Sequence, residues 1–485
     1  MLFKSGKYKP VAVLVFALVS LHAKAGVTLP KIIGNNMVLQ RNRPDVIWGN
    51  ASEGEKITVK FNQQTKTAIA DNSGKWKIVL DAMAVSDKPF VMTIIAIDTI
   101  ITLQNILVGE VWLCSGQSNM EYTMMKETKF ASAQRSKGID SIQLKKESDP
   151  DIRLFLVKRD LTKPGNANKG WNVAEGESLR AFSAVEYFFA KKLFEELHVP
   201  IGIISSAVPG SAIEPWMSGT PSEKDSSFEI DETRPGKFYT GWIQPLAPFT
   251  LQGFLWYQGE TNCFLKETTS YTKKFIHLIN SWRSLWNEKN ASFYFVQIAP
   301  FYYSKSKGKV VLDEESLPQF REAQQQALIL PNTGMVVTTD LADDLNDIHP
   351  TYKWEVGKRL ALIALAKDYH KNIVYSSPSF KKAVIKGDKI EIEFNNIGSG
   401  LVSSDHQPLN WFMIAGAEEK FVSADAVIKG NRVIVSAKEI RSPRYVRFAW
   451  NEAAQPNLSN KEGLPVVPFR TDHETDLAKE KMASF

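Results

Sequence analysis

The sequence is poor in cysteine: its 485 residues include two, Cys114 and Cys263. Two cysteines cannot form the disulfide framework that holds small secreted domains together, so the fold must depend on hydrophobic cores. Cys114 stands in an apolar stretch and is best explained as a small buried residue. A Cys114–Cys263 bridge is the alternative if the chain enters an oxidising compartment, since both residues lie near the ends of predicted strands.

Long hydrophobic runs are absent beyond the amino terminus, which argues against membrane-spanning helices. The first 25 residues combine early lysines, an apolar run at 11–21 and a small-x-small triplet at 23–25. This order is typical of a secretory signal peptide, and a run of about a dozen residues is too short to span a bilayer. No cysteine follows the triplet, so no lipid anchor is predicted. We expect a mature chain that begins near Gly26 and is exported to the periplasm or the extracellular space.

A strong charge excess is also lacking. The formal net charge of +6 includes four lysines of the predicted signal peptide, which has no acidic residue, so its removal leaves +2. No basic run with interleaved aromatic residues is present, and nucleic acid is therefore not an expected partner. With 44% apolar and 23% charged residues the chain is typical of a globular protein, and its length predicts two or three domains.

The two ends of the chain have the pattern of β domains. Apolar and polar residues alternate at Ile57–Phe61 near the start and at Ile390–Phe394 near the end, with glycine and asparagine between the predicted strands. We predict a β-sandwich domain at 26–104 and a second β domain with a charged tail at 372–485.

The middle of the chain, 105–371, alternates apolar strands with amphipathic helices. Ile201–Ile204 and Gly253–Tyr257 are apolar runs of strand length. Ser183 and Glu186 have the spacing of a capping box at the start of a helix. This alternation predicts an α/β fold with a parallel sheet covered by helices on both sides.

A serine follows one of the predicted buried strands. The run Val111–Cys114 is apolar, and the chain turns polar at Gly116, which leaves Ser118 at the carboxyl end of the strand. In an open parallel sheet, ligands bind beyond the carboxyl ends of the strands, and a serine on a tight turn there can act as a nucleophile. Taken alone, the same residues could form an ordinary polar turn, so the assignment depends on partners elsewhere in the chain.

A base for Ser118 must come from one of seven histidines. His349 is the candidate, because it lies in a loop between a predicted strand and a predicted helix and its ordinary pKa suits proton transfer near neutral pH. The alternative is a simple helix-start residue before Pro350. An aspartate could orient the imidazole through its second nitrogen, and Asp347 is the nearest in sequence. Three other aspartates compete for this role: Asp340, Asp343 and Asp344.

Acyl transfer also requires donors for the negative charge that develops on the carbonyl oxygen. Two further strand ends offer them: Gly210, whose backbone N–H can approach a ligand closely, and Asn262, whose amide can donate. Each is weak evidence alone, because strands often end in such residues. Four strand ends that carry Ser, Gly, Asn and His are harder to explain without a shared site.

Three motifs together resemble the sialate O-acetylesterase group of the SGNH hydrolases: Gly116–Met120, Gln258–Asn262 and Asp347–Pro350. The similarity extends through the predicted mature chain, from Asn36–Arg41 to Pro468–Asp472. The resemblance implies a flavodoxin-like three-layer α/β/α hydrolase domain flanked by β-sandwich domains. It also implies that no metal or other cofactor is used.

The resemblance implies roles for individual residues. Ser118 would be the nucleophile, His349 the base and Asp347 the acid that orients it. The superfamily often has its acid three residues before the histidine, where this chain has Asn346. The oxyanion hole would be formed by three donors: the Ser118 backbone N–H, Gly210 and Asn262.

These expectations predict an exported carbohydrate O-acetylesterase that acts on O-acetylated sialic acid. A pocket for this acidic sugar should offer a cation to its carboxylate, and Arg321 and Arg234 are the candidates. The alternative interpretation is that both are solvated surface residues. The other predicted substrate-binding residues are Gln117, Gln258 and Glu260. A second enzyme hypothesis is removal of acetyl groups from plant polysaccharide such as xylan. A hypothesis from another class is a secreted carbohydrate-binding protein without catalysis.

Overall fold

The computed structural model describes residues 26–130, 147–157, 170–219 and 236–472. The predicted signal peptide and Arg234 lie outside these ranges. Within them, no helix combines the length and the apolar character needed to cross a membrane.

The amino-terminal part consists of short, mostly antiparallel strands. They are β1 (Val38–Gln40), β2 (Asp45–Asn50), β3 (Lys56–Phe61), β4 (Gln64–Ile69), β5 (Lys75–Leu80), β6 (Ser86–Ile95) and β7 (Ile100–Gly116). Strands β3 and β5 bury every second side chain, as their alternating sequences predict. Strand β7 is longer: residues 100–108 pair with β6, whereas residues 110–116 form the centre of a second, parallel sheet. The predicted boundary between residues 104 and 105 therefore falls inside one continuous strand.

Strand β7 is the middle of the parallel sheet that carries the candidate residues. The further strands are β8 (Asp149–Leu156), β9 (Trp171–Ala174), β10 (Ile201–Ala207), β11 (Gly253–Tyr257), β12 (Ser292–Val296) and β13 (Thr333–Val336). Their spatial order is β13-β12-β11-β7-β10-β8-β9, and all neighbours are parallel except β8 and β9. Strands β10-β7-β11-β12-β13 have the 2-1-3-4-5 order of a flavodoxin-like sheet, which confirms the predicted fold class.

Helices cover both faces of this sheet. They are α1 (Ser118–Glu121), α2 (Met124–Phe130), α3 (Gly176–Arg180), α4 (Ala184–Leu197), α5 (Glu260–Phe264), α6 (Thr269–Leu285), α7 (Ser316–Gln325) and α8 (Lys353–Lys367), with short 3₁₀ or π turns at Glu214–Trp216, Tyr239–Ile243, Gln244–Leu246, Tyr303–Lys305 and Gln326–Ile329. Helices α4 and α8 pack on one face, where the Trp112 and Phe189 ring centroids are 5.2 Å apart. Helices α6 and α7 cover the other face, where Phe254 packs against Trp282 at 5.5 Å. Ser183 caps α4 by accepting a backbone N–H bond, as predicted.

The two cysteines are buried and unpaired. Cys114 lies in β7 and Cys263 in α5, and each is a free thiol. Burial raises the pKa of both thiols, so neither is a thiolate near neutral pH. Cys114 is thus the small buried residue that the sequence predicted, and the alternative disulfide is not formed.

The carboxyl-terminal part is a second β unit with its own core. Its strands are β14 (Ser379–Lys386), β15 (Lys389–Asn395), β16 (Leu401–Ser403), β17 (Phe412–Ala415), β18 (Val422–Ser423), β19 (Asp425–Lys429), β20 (Arg432–Ser436), β21 (Tyr445–Phe448), β22 (Leu458–Asn460) and β23 (Phe469–Arg470). Two four-stranded sheets, β14-β15-β20-β19 and β18-β17-β21-β23, contribute side chains such as Ile392, Val433 and Phe448 to one apolar cluster. β-rich units therefore stand at both ends of the α/β part.

Candidate active site

Ser118 and His349 are in direct contact at the carboxyl edge of the sheet. Ser118 is the first residue of α1, just after β7 ends, and His349 lies in the loop between β13 and α8. The distance between Ser118 Oγ and His349 Nε2 is 2.9 Å, within hydrogen-bond range. The histidine is thus placed to accept the hydroxyl proton, which is the geometry required of a nucleophile and its base.

Gly116 allows the chain to turn toward Ser118 at the end of β7. Its φ is +146°, and a Cβ at this position would lie 2.1 Å from the Tyr257 carbonyl oxygen on β11. A side chain would therefore force β7 and β11 apart. Gln117 donates its backbone N–H to the same carbonyl oxygen at 3.0 Å. Ser118 is thereby presented between β7 and β11, the switch point at which ligands bind in a sheet of this order.

Asp347 lies beside the other nitrogen of the His349 ring. Its Oδ1 is 3.3 Å from Nδ1 and accepts the His349 backbone N–H at 2.9 Å. The Asp347 side chain is 54% exposed, so water screens its charge. The competing aspartates have other partners: Arg359 for Asp340, Thr351 for Asp343 and the Asn346 backbone N–H for Asp344. The structure thus places at the imidazole the aspartate that is nearest in sequence.

The surroundings of His349 lower its pKa below the ordinary value for histidine. Burial is the largest cause, because the charged imidazolium is poorly solvated, and the positive charge of Lys353 acts in the same direction. Asp347 opposes both effects. The imidazole is therefore neutral near pH 7, which leaves Nε2 able to accept a proton.

Gly210 is an exposed residue in the otherwise largely buried loop after β10, the strand beside β7. Its φ is +69°, and no atom lies within 4 Å of the position that a Cβ would take. At the start of this loop, the Val208 N–H donates to the Gly116 carbonyl oxygen at 3.0 Å. The loop thus begins beside the turn that carries Ser118, and the donor role of Gly210 stays a prediction.

The Asn262 amide is already engaged inside the protein. Its Oδ1 accepts the Ile213 backbone N–H at 3.0 Å, which identifies this atom as the carbonyl oxygen. Its Nδ2 then donates to Glu214 at 3.4 Å and to Glu267 at 3.3 Å, and the side chain is fully buried. In the structure the Asn262 amide N–H groups are directed to these two carboxylates, and its role as an oxyanion donor stays a prediction.

Asn262 instead anchors the loop that contains Gly210. The bond to Ile213 holds the end of this loop, and Gln258 Nε2 donates both to Asn262 Oδ1 at 2.7 Å and to the Ser211 carbonyl oxygen at 3.3 Å. Two buried amides thus fix the backbone on the carboxyl side of Gly210.

A buried ion cluster lies behind Asn262. Lys274 Nζ is 2.6 Å from Glu214 and 2.9 Å from Glu267, and Asn262 bridges the two carboxylates. Buried charges are tolerated when each has its partner and its hydrogen bonds, as these do. In the described parts of the chain, no three His, Cys, Asp or Glu side chains lie close enough together to hold a metal ion.

The residues predicted to bind substrate are almost inaccessible. Their exposed fractions are 3% for Gln117, 0% for Gln258, 2% for Glu260 and 0% for Arg321. Arg321 Nε donates to the Ile298 carbonyl oxygen at 2.9 Å. The guanidinium therefore cannot reach a substrate carboxylate from this position, and it is not the surface residue that the alternative interpretation expected either. Burial places these side chains in the interior behind the site.

Sequence reasoning missed a buried lysine next to the site. Lys353 is the first residue of α8 and is fully buried, and its Nζ donates to Asn119 Oδ1 at 2.8 Å. The one available signal was a lysine four residues after His349. A lysine in the first turn of a helix is usually solvated, so the pattern did not distinguish this residue.

The fold and the site together define a class. A serine hydroxyl and an imidazole in contact at the carboxyl edge of a flavodoxin-like sheet are the arrangement of a serine hydrolase with an α/β fold. A family model described as carbohydrate esterase, sialic acid-specific acetylesterase, matches residues 108–366. The chain belongs to this family and is a carboxylic ester hydrolase.

Individual relatives agree with this assignment. The human sialate O-acetylesterase is 31% identical over 412 residues, with coverage of 76% of this chain and 76% of the human protein. The mouse sialate O-acetylesterase is 29% identical over 440 residues, 77% of this chain and 79% of the mouse protein. A solved structure, a carbohydrate acetylesterase from Xanthomonas citri, is similar with 36% identity and a TM-score of 0.81, over 92% of this chain and 100% of the other. The hypothesis of a carbohydrate-binding protein without catalysis is therefore set aside.

Proposed function

We propose that this protein is an exported carbohydrate O-acetylesterase that removes O-acetyl groups from sialic acid. The observation that carries the proposal is the 2.9 Å contact between Ser118 Oγ and His349 Nε2. The similarity to the human and mouse sialate O-acetylesterases supports the substrate. The amino-terminal pattern supports export, and sequencing of the exported protein should find an amino terminus near Gly26. An exported protein that retains residues 1–25 would contradict the cleavage.

The proposed reaction has two halves that use the same base. Ser118 Oγ attacks the acetyl carbonyl carbon while His349 Nε2 takes the hydroxyl proton. The bond between the carbonyl carbon and the sugar oxygen breaks, and the imidazolium returns the proton to that oxygen. His349 then takes a proton from water while the resulting hydroxide attacks the carbonyl carbon of the acetyl-serine ester. The bond between that carbon and Ser118 Oγ breaks, the imidazolium returns the proton to Oγ, and acetic acid is released and ionises to acetate. Asp347, beside Nδ1, stabilises the imidazolium in both halves.

The negative oxygen of each tetrahedral intermediate requires donors that are fixed in advance. We propose the backbone N–H groups of Ser118 and Gly210, because the loop of Gly210 begins at Val208, whose N–H donates to the Gly116 carbonyl oxygen, and is held from behind by Asn262. One such donor typically contributes about 3 kcal/mol to the stability of the transition state. Asn262 acts in this proposal as an anchor of the loop.

Acetylated plant polysaccharide is the second candidate substrate. Sialic acid carries a carboxylate that a pocket would pair with a cation. Arg321, one of the two arginines predicted for this purpose, is fully buried, and Arg234 lies outside the described residues. The burial of Arg321 favours a neutral sugar, and the similar enzyme from Xanthomonas citri is described as a carbohydrate acetylesterase without a named sugar.

Acetate release from two substrates tests the proposed function. We expect a higher kcat/KM for O-acetylated sialic acid than for acetylated xylo-oligosaccharide, and the reverse order would favour the second candidate. Ser118→Ala and His349→Ala should each lower kcat by at least about 1,000-fold with both substrates. Ser284→Ala, on the exposed surface of α6, is the matched control and should retain activity. Full activity of Ser118→Ala would contradict the mechanism whatever the sugar.

A further inference from the structure

Lys353 connects the two segments that carry Ser118 and His349. Its Nζ donates to the carbonyl oxygen of Pro350, the residue after His349, and to Oδ1 of Asn119, the residue after Ser118. Both bonds are buried. One ammonium group thus bridges the backbone next to the imidazole and the side chain next to the hydroxyl.

Asn119 completes this bridge from the other side. Its Nδ2 donates to the carbonyl oxygen of Ile348, the residue before His349, at 3.1 Å, and also to Glu260 Oε1. The carbonyl groups on both sides of His349 are therefore bound, one by Asn119 and one by Lys353. Because Asn119 lies in the same helix as Ser118, this network joins the loop that carries His349 to the helix that carries Ser118.

Burial lowers the pKa of Lys353 to about 8, because a buried ammonium group is poorly solvated; Lys353 is still mostly charged near pH 7, and its neighbours stabilise that form. An ammonium group has three donors and no acceptor, and two carbonyl-type oxygens already accept from it. The ring centroids of Tyr122 and Tyr257 lie 4.6 and 5.8 Å from Nζ, within the range of a cation–π interaction. Four acidic groups also stabilise the positive charge: Glu127, Glu260, Asp343 and Asp347.

We propose that Lys353 is a positioning residue for the esterase reaction, which holds the His349 imidazole in contact with Ser118 Oγ through Asn119 and Pro350. This inference rests on the proposed catalytic roles of Ser118 and His349. Lys353 touches neither reacting atom and acts through the groups on either side of them. A displacement of about 1 Å at a reacting group can cost roughly 100-fold in rate, so a buried anchor at this place has a large effect on kcat.

The charge of Lys353 adds a second effect that can be measured separately. It lowers the pKa of His349, as burial and the exposed Lys126 also do, whereas Asp347 raises it. Removal of the positive charge therefore raises the pKa of His349. Since the neutral imidazole is the active form, the fall of kcat/KM on acidification then begins at a higher pH.

The test compares four variants in acetate release over a range of pH. Lys353→Met removes both effects. At pH values where His349 is neutral, kcat should be roughly 100-fold lower with a smaller change in KM. The fall of kcat/KM on acidification, the acid limb of the pH profile, should move to higher pH. Asn119→Ala removes one arm of the bridge without a change in charge, so kcat should fall while the limb stays. Lys126→Met removes an exposed positive charge outside the bridge, so the acid limb should move to a slightly higher pH while kcat is unchanged. Lys358→Met, on the exposed side of α8, should change neither.

The outcomes separate this inference from the proposed function. Thermal unfolding shows which variants are folded, and if Lys353→Met does not fold, Asn119→Ala and Lys126→Met carry the test. The inference is overturned if Lys353→Met is folded and has the same kcat and the same acid limb as the wild type. It is also overturned if Asn119→Ala has an unchanged kcat and, at the same time, Lys126→Met has an acid limb at the same pH as the wild type. Either result leaves the proposed function intact as long as Ser118→Ala and His349→Ala are inactive. Activity in Ser118→Ala or His349→Ala would contradict the proposed function and, with it, the inference about Lys353.

Discussion

Asn262 uses its hydrogen-bonding atoms inside the protein. Its Oδ1 accepts from the Ile213 N–H and from Gln258, and its Nδ2 donates to Glu214 and Glu267. A primary amide has two donors and one oxygen with two lone pairs, so these four bonds use its whole capacity. The sequence motif predicted the residue type and its place near the site. Its orientation depends on a distant backbone N–H and two carboxylates, which no local pattern reveals.

We expect Asn262→Ala to destabilise the protein. The change leaves the Ile213 N–H and two buried carboxylates with fewer partners, and one unpaired buried group costs about 1–3 kcal/mol. Denaturant unfolding measures the loss, and Asn172→Ala, at a half-buried position on β9, is the control. Activity should fall only to the extent that the loop containing Gly210 loses its fixed position. A loss of about 100-fold in kcat at unchanged stability would instead mean that Asn262 donates directly to the transition state.

The strands that carry the site could be predicted from local sequence. Gly253–Tyr257 is β11 with the predicted bounds, and the run predicted at Ile201–Ile204 extends to Ala207 as β10. Apolar residues on both faces of a strand and a turn residue at its end are local properties, which a single sequence contains. Because the carboxyl ends of parallel strands share one edge, the motif positions also predicted that Ser118 and His349, 231 residues apart, would meet.

The extent of β7 could not be predicted in the same way. Burial changes from partial to complete near Ile106 within the strand, and the pairing with β6 gives way to the parallel sheet between Val108 and Glu110. In the sequence, this change of pattern resembles a domain boundary. A strand that changes partners needs no turn residue at that point, so nothing local distinguishes the two cases.

The burial of the first turn of α8 could not be predicted from the sequence either. The apolar positions Val356 and Leu360 face the core as the helical pattern predicted. Lys353, one turn earlier, is buried because Asn119, Tyr122 and the Pro350 carbonyl surround its ammonium group. These partners belong to α1, to the residue after it and to the preceding loop, so the burial of the lysine is a property of the folded site and not of the helix.

At the scale of the whole molecule, the amino-terminal strands share one core with the α/β part. A single apolar cluster contains Ile47 and Val59 from the amino-terminal strands together with Phe254 from the parallel sheet. Trp171 on β9 also donates its Nε1–H to the Ile32 carbonyl oxygen at 2.8 Å. Strand β7 runs through both parts. Residues 26–104 and 105–371 therefore share one apolar core, and their division into two domains stays a prediction.

The carboxyl-terminal unit is attached differently. Most of its buried apolar residues form a cluster of their own, whereas Val467 packs in the cluster of the α/β part, and polar contacts also contribute to the interface. Arg447 pairs with Glu315 at 2.7 Å and Arg470 pairs with Glu322 at 2.6 Å. Ion pairs of this kind are weaker than a shared core, so the unit 372–485 should be the easier of the two β parts to remove.

Truncation from either end tests this difference. A chain of residues 105–472 loses β1 to β6 and leaves one side of the shared core open to water, so we expect no soluble, cooperatively unfolding protein. A chain of residues 26–371 keeps the shared core and Ser118–His349, so it should fold with a lower Tm than the control 26–472 and still release acetate. Circular dichroism during heating and the acetate assay measure both properties. A stable, active 105–472 fragment would show that the amino-terminal strands are dispensable, whereas an unfolded 26–371 fragment would make the carboxyl-terminal unit part of the same cooperative fold.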